Sequence, residues 1–145
     1  MSTGKRKSER PEILAGNIEI SSFAASVRLH ASERRGEDPV IESMPWLELR
    51  GTMAEPIREV RDVMISLFPR EDATNVGTAR PASVGALIQV RPELSFVLTW
   101  PPADFDRVWA LALSGRLTHG HLSFTKPYRG SALVVGASFS NEAEE

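Results

Sequence analysis

The sequence contains no cysteine. This absence excludes disulfide bonds, thiolate metal sites and cysteine nucleophiles, and it fits a protein of a reducing compartment. No apolar run approaches the roughly 20 residues that a membrane-spanning helix requires. The basic cluster Lys5–Lys7 is followed by polar residues instead of the apolar segment of a signal peptide. We therefore expect a cytoplasmic protein that does not enter the membrane.

The chain also has little net charge and none of the common catalytic motifs. Its 17 Lys and Arg residues oppose 19 Asp and Glu residues, for a formal net charge of −2. A dedicated polyanion binder normally carries a basic excess. The patterns G-x-S-x-G, G-x-x-x-x-G-K-[ST] and G-x-G-x-x-G are all missing, so esterase elbows, P-loops and dinucleotide folds lack support. The sequence favours a non-catalytic protein without a cofactor.

What the sequence does contain is runs in which every second residue is apolar. In Leu94–Trp100 and Leu133–Phe139 every second residue is apolar, which predicts half-buried strands. Further strands are predicted over residues 17–29, 46–53, 83–90 and 117–126. A bulge is expected near Ser21–Ser22, where the parity of the apolar residues changes, and Gly51 weakens its strand or marks another bulge. Residues 31–45 have the composition of a long loop.

Residues 55–68 fit two structures. Wound as a helix, the segment gathers its apolar residues on one broad face, and Pro56 suits a first turn. The density of β-branched residues and the flanking prolines favour a loop followed by a strand. We predict the strand, over Val60–Phe68.

One helix is predicted at residues 103–114. Its apolar stripe consists of Phe105, Val108, Trp109 and Ala112, with Trp109 at the centre, and Gly115 provides a stop. Six to seven strands with one helix predict a mainly β (α+β) chain, folded as an antiparallel β-sandwich or rolled sheet, with the helix over an open end or one face. The predicted organisation is a flexible basic tail (1–11), a single β-rich domain (12–140) and an acidic tail (141–145).

His119 and His121 have metal-ligand spacing. Residues i and i+2 of a strand share a face, so both imidazoles project together. A metal site needs further ligands, and the remaining histidine, His30, is distant in sequence. We therefore predict a solvated strand face and no metal, and we keep a small β-sandwich enzyme or metal-dependent binder centred on this pair as an alternative.

Basic residues suggest a second alternative, a nucleic-acid-binding domain. Lys126, Tyr128 and Arg129 lie in a predicted hairpin turn, where the tyrosine could stack on an exposed base. The basic N-terminal tail could neutralise phosphates. The near-neutral charge of the chain makes a soluble tail and an ordinary charged turn the preferred interpretation.

An excess of apolar residues points to assembly. Leu111 and Leu113 leave the predicted helix only a narrow polar face, and Val134 falls on the predicted outer face of the last strand. Exposed sheet edges also attract partner strands. The leading hypothesis is a non-catalytic β-rich protein-interaction or assembly domain, forming a homo-oligomer or binding another protein through Leu111, Leu113 and Val134.

Overall fold

The computed structural model describes residues 12–33, 35–71 and 83–142. The chain is mainly β with one helix, as predicted, and the segment 60–68 is a strand. The strands are β1 (Ile13–Ser32), β2 (Val40–Ile57), β3 (Val60–Pro69), β4 (Gly85–Gln89), β5 (Leu94–Trp100), β6 (His119–Thr125) and β7 (Ala132–Ser140), and the helix is α1 (Pro102–Leu113). The two predicted tails lie outside the described residues, apart from residues 141–142.

The seven strands close into a barrel in the order β1-β2-β3-β5-β4-β7-β6. Neighbouring strands are antiparallel except β3 and β5, which run parallel. The predicted sandwich is therefore wrong, and so is antiparallel pairing throughout; of the two predicted architectures, the rolled sheet is the nearer, but the observed sheet is closed. Alternation shows which side chains share a face of a strand, whereas closure depends on the tilt and stagger of all the strands together.

The interior of the barrel is filled by side chains. Phe96 and Phe124 lie inside it with ring centroids 6.0 Å apart. Aliphatic side chains from every strand surround them, as in other small barrels; the fully buried ones include Ile18, Leu47, Leu49, Ile65, Leu67, Leu87, Leu94, Leu98 and Leu122. Function must therefore be sought on the outer surface and at the ends.

Helix α1 covers one end of the barrel, which we call the arm end. It connects the finish of β5 to the start of β6, and both of these lie at that end. Phe105, Val108 and Ala112 are buried in the barrel core, and Pro102 occupies the first turn, where its missing N–H has no cost. Trp109 lies at the border of this stripe, half-buried beside Phe105, and not at its centre.

The predicted bulge in β1 is present, but the predicted loop over 31–45 is not. The register between β1 and β2 shifts between Ile20 and Ser22. Both strands then continue as a paired ribbon to Ser32 and from Val40, so only residues 33–39 remain for the connection. The two prolines and the polar residues of this segment are typical of a loop, which is why the sequence predicts one. They are compatible with the ribbon here because this part of the sheet is largely exposed to solvent.

A second bulge changes the face of β7. Ser123 pairs with Gly136 and Phe124 pairs with Val134, so Val135 is an extra residue. One inserted residue moves the side chains of a strand to the opposite face. Val134 is consequently fully buried in the core, and its predicted position on the outer face is wrong.

Candidate functional site

Strands β1 and β2 extend beyond the barrel as a two-stranded ribbon, in which Ser26–Ser32 pair with Val40–Trp46. We call this ribbon, together with Ser22–Ala25, whose outer edge has no partner strand either, the arm. Strand β6 pairs with β1 only as far as Glu19, and β3 pairs with β2 only from Leu47. Within residues 12–33, 35–71 and 83–142, no strand pairs with either outer edge of the arm. The arm is therefore a protrusion with two open edges.

One face of the arm is apolar and continues the inward face of the barrel. Side chains on directly opposed residues share a face, and the register places the arm residues of this face in line with the buried Leu47 and Leu49. The face contains no charged residue: it consists of Phe23, Ala25, Val27, Leu29, Ala31, Ile41, Ser43 and Pro45. Leu29 is 69% exposed and Ile41 is 76% exposed. The row of apolar side chains that lines the barrel interior thus continues along the arm, where it is exposed to solvent.

The other face of the arm is more polar. His30 opposes Glu42, and Arg28 opposes Met44. Because only one face is apolar, the arm is amphipathic. An isolated two-stranded ribbon is marginally stable in water, and exposed apolar patches of this kind mark contact surfaces. These features make the arm the strongest candidate for an interaction site.

The two edges of the arm differ in their capacity to accept another strand. The β2 edge contains Pro45, which has no N–H, and the acidic Glu42. The β1 edge, from Ser22 to Ser32, contains no proline, glycine, lysine or acidic residue. Natural proteins usually protect exposed edges with such residues. The β1 edge is therefore open to strand addition.

The predicted interface residues do not form one surface. Val134 is buried in the barrel, and Leu111 is half-buried against the core. Leu113 is 56% exposed at the last residue of α1. Sequence reasoning missed the arm, although Val27, Leu29 and Ala31 continue the alternation of the preceding strand.

The two histidines lie on the outer wall of the barrel, on a half-exposed strand face as predicted. The Nδ1 atom of His119 is 2.8 Å from Thr118 Oγ1, and Nδ1 of His121 is 2.7 Å from Asn17 Oδ1. A surface pocket of about 270 Å³ lies beside His119. In the described part of the chain, no three His, Cys, Asp or Glu side chains are grouped to hold a metal ion.

The end of the barrel opposite the arm, which we call the turn end, carries the predicted basic turn. Arg58 Nη2 donates a hydrogen bond to the Pro127 carbonyl (3.1 Å), and Arg91 Nη2 donates one to the Arg58 carbonyl (2.8 Å). Three turns that are distant in sequence are thereby tied together. Arg58 thereby contacts the turn that contains Tyr128, which is 68% exposed, and Arg91 is linked to that turn through Arg58.

The predicted turn residues are neighbours within this group. The guanidinium carbon of Arg129 lies 5.2 Å from the centre of the Tyr128 ring, in a cation–π contact. Lys126 forms a long ion pair with Glu12 (3.9 Å). The basic cluster at residues 5–7 lies outside the described residues.

The turns at this end have unusual backbone conformations. Arg58, Glu59 and Arg129 have positive φ angles of 48°, 73° and 54°, and these are the non-glycine residues with positive φ in the described ranges. Two-residue hairpin turns of this kind favour Asn-Gly, since other side chains are strained there. Strained residues concentrate at functional sites, so the turn end is a second candidate surface.

Comparisons with known proteins do not assign either surface. The chain matches no protein family, no curated protein and no solved structure. Among the residues that the structure describes, no helix has both the length and the apolar character needed to cross a bilayer.

Proposed function

We propose that this chain is a non-catalytic assembly module that binds a second copy of itself through the arm. The observation that carries the proposal is the uncharged apolar face of the arm, which continues the barrel interior into solvent. When two copies meet through the apolar face of the arm, no charged side chain becomes buried, because that face has none. The contact therefore avoids the desolvation penalty of an unpaired ion. The same surface serves both copies, as in most closed dimers.

Covering the apolar side chains of the arm can offset the free-energy cost of association. Val27, Leu29 and Ile41 are all more than half exposed. Covering a side chain of this class stabilises a complex by about 1.5–3 kcal/mol when burial is complete. Three from each copy give a gain of the same order as the roughly 4–15 kcal/mol that association costs in lost freedom. That gain applies to contact between the apolar faces; pairing of the open backbone edges is the other mode of contact, and it supplies main-chain hydrogen bonds instead.

Native mass tests the proposal. We expect the purified full chain to be a dimer or larger by light scattering, and a Leu29→Lys, Ile41→Lys double variant to be a folded monomer, because two charges then lie on the contact face. The matched control is Leu113→Lys, which places a lysine at an exposed leucine on α1 and should leave the mass unchanged. A concentration-independent monomer for the wild type would refute the proposal, and dissociation caused by Leu113→Lys alone would move the contact to α1.

A second candidate function, binding of single-stranded nucleic acid, is favoured by the turn end. Arg58 donates a hydrogen bond to the turn that holds the exposed Tyr128–Arg129 pair, and Arg91 donates one to Arg58. Cations around an exposed aromatic ring are the elements that bind a phosphate backbone and stack a base. The alternative of an enzyme or metal-dependent binder centred on His119 and His121 gains no comparable observation.

Fluorescence anisotropy with a labelled single-stranded oligonucleotide tests this second candidate. We expect binding that weakens with salt, as phosphate contacts require. Tyr128→Ala should reduce the affinity by roughly 5- to 150-fold, which corresponds to the loss of about 1–3 kcal/mol of stacking. Arg107→Ala, which removes a surface cation on α1, should have no effect. Absence of binding at low salt would eliminate this function.

A further inference from the structure

We infer that the arms of two copies join edge to edge, with β1 of one copy antiparallel to β1 of the other and the two-fold axis at Val27. The inference rests on the proposed self-association and specifies the strand, the direction and the register. The product would be a four-stranded sheet in the order β2-β1-β1-β2, with a barrel at each end.

The length of the open edge places the axis. Strand β1 has no partner strand on its outer side from Ser22 to Ser32, within the described part of the chain. In an antiparallel pair of identical strands, residues equidistant from the axis oppose each other. Val27 is the midpoint of Ser22–Ser32, so an axis there pairs Ser22 with Ser32 of the second copy and uses the whole open edge.

The directions of the backbone groups agree with this register. Val27 opposes Pro45 in the arm. Since Pro45 has no N–H, this pair cannot exchange hydrogen bonds, so it must be of the non-hydrogen-bonded kind. The N–H and C=O of Val27 then point away from β2, toward the open edge. Opposed to Val27 of the second copy, they form a hydrogen-bonded pair at the axis.

The charges on the polar face are compatible with the same register. With the axis at Val27, Arg28 opposes Ser26 of the second copy and His30 opposes Ala24, so no like charges meet. Moving the axis by one residue to Arg28 would place two arginines directly opposite each other. Like charges in that position destabilise a strand pair.

Apolar side chains also match across the axis. Val27 opposes its own copy, and Leu29 opposes Ala25 of the second chain, so a large side chain meets a small one. Phe23, which is exposed at the base of the arm, opposes Ala31. The outer edge of β2 is less suited to pairing with a second copy, because Pro45 has no N–H to donate to an added strand.

Disulfide trapping tests the register directly, because the natural sequence has no cysteine. Opposed residues of a hydrogen-bonded antiparallel pair have Cα atoms about 5.5 Å apart, which is within disulfide range. We expect Val27→Cys to give a covalent dimer under mild oxidation. The control His30→Cys should remain uncrosslinked, since the two cysteines would be about 20 Å apart at 3.3 Å per residue.

A mixture of Ser26→Cys and Arg28→Cys chains distinguishes edge pairing from contact between the apolar faces. Both side chains lie on the polar face of the arm and oppose each other in the inferred register, about 4.5 Å apart between Cα atoms. We expect a mixed disulfide that exceeds either homodimer. In a face-to-face contact both side chains would point away from the second copy.

The outcomes separate this inference from the proposed function. A dimer by light scattering without the Ser26–Arg28 mixed disulfide would overturn edge pairing and leave self-association through the arm intact. A wild-type chain that is monomeric, together with no crosslinking of Val27→Cys, would remove both. Equal crosslinking of the His30→Cys control would overturn the register at Val27.

Discussion

Replacement of Phe105 by alanine should lower the free energy of unfolding by about 3–5 kcal/mol, the usual effect of deleting a buried aromatic side chain. Phe105 is 2% exposed and belongs to the core beneath α1. The deletion removes its contacts and leaves a cavity where the helix closes the barrel. Chemical denaturation monitored by circular dichroism would measure the change.

Two neighbouring substitutions serve as controls for this result. Trp109 is only half-buried beside Phe105, so Trp109→Ala should cost less despite the larger ring. Arg107 is exposed, and its ion pair with Asp104 (3.3 Å) lies at the surface, where such pairs contribute little. Arg107→Ala should therefore stay within about 0.5 kcal/mol. A larger loss for Trp109→Ala than for Phe105→Ala would mean that the helix is rotated relative to the core.

The second large effect is expected at Gly51, where β1 approaches β2 at the bulge. A Cβ atom on Gly51 would collide with the Glu19 carbonyl, whose carbon would be 3.0 Å away. The obstacle is backbone and cannot rotate aside, so one strand must shift. Gly51→Ala should therefore cost about 3 kcal/mol, the upper end of the usual range for overpacking.

Gly136→Ala is the matched control in the same barrel. There the nearest atom to a new Cβ is Ser123 Cβ at 3.8 Å, an ordinary contact. This change should be neutral or stabilise the protein by about 0.4–1 kcal/mol, because alanine restricts the unfolded chain. If the two variants unfolded at the same denaturant concentration, the close approach at Gly51 would not exist.

The arm shows why its role was not predicted from sequence. Alternation through Val27 and Leu29 indicates a strand with one apolar face, and such a face ordinarily packs in a core. Whether a partner strand or open solvent lies beside it depends on where β6 and β3 end, at Glu19 and Leu47. Pairing partners of this kind are distant in sequence and leave no local pattern.

At the turn end, too, local sequence predicts part of the surface and tertiary structure supplies the rest. Lys126, Tyr128 and Arg129 are predicted as a charged hairpin turn because Pro127 and Gly130 are typical turn residues, and the hairpin is present. Arg58 and Arg91 join them only because barrel closure brings three turns to one end. Their shared surface is therefore a property of the closed sheet.

The sequence by itself predicted most of the strands, apart from the part of β2 that lies in the arm, together with the single helix, the strand conformation of 60–68 and the bulge near Ser21, since these depend on periodicity and on interactions within a few residues. Only the tertiary structure decided that the sheet closes, that β3 and β5 run parallel, that Val134 faces inward and that the arm is exposed. These features follow from pairing between distant strands, where a shift of one residue exchanges the buried and exposed faces.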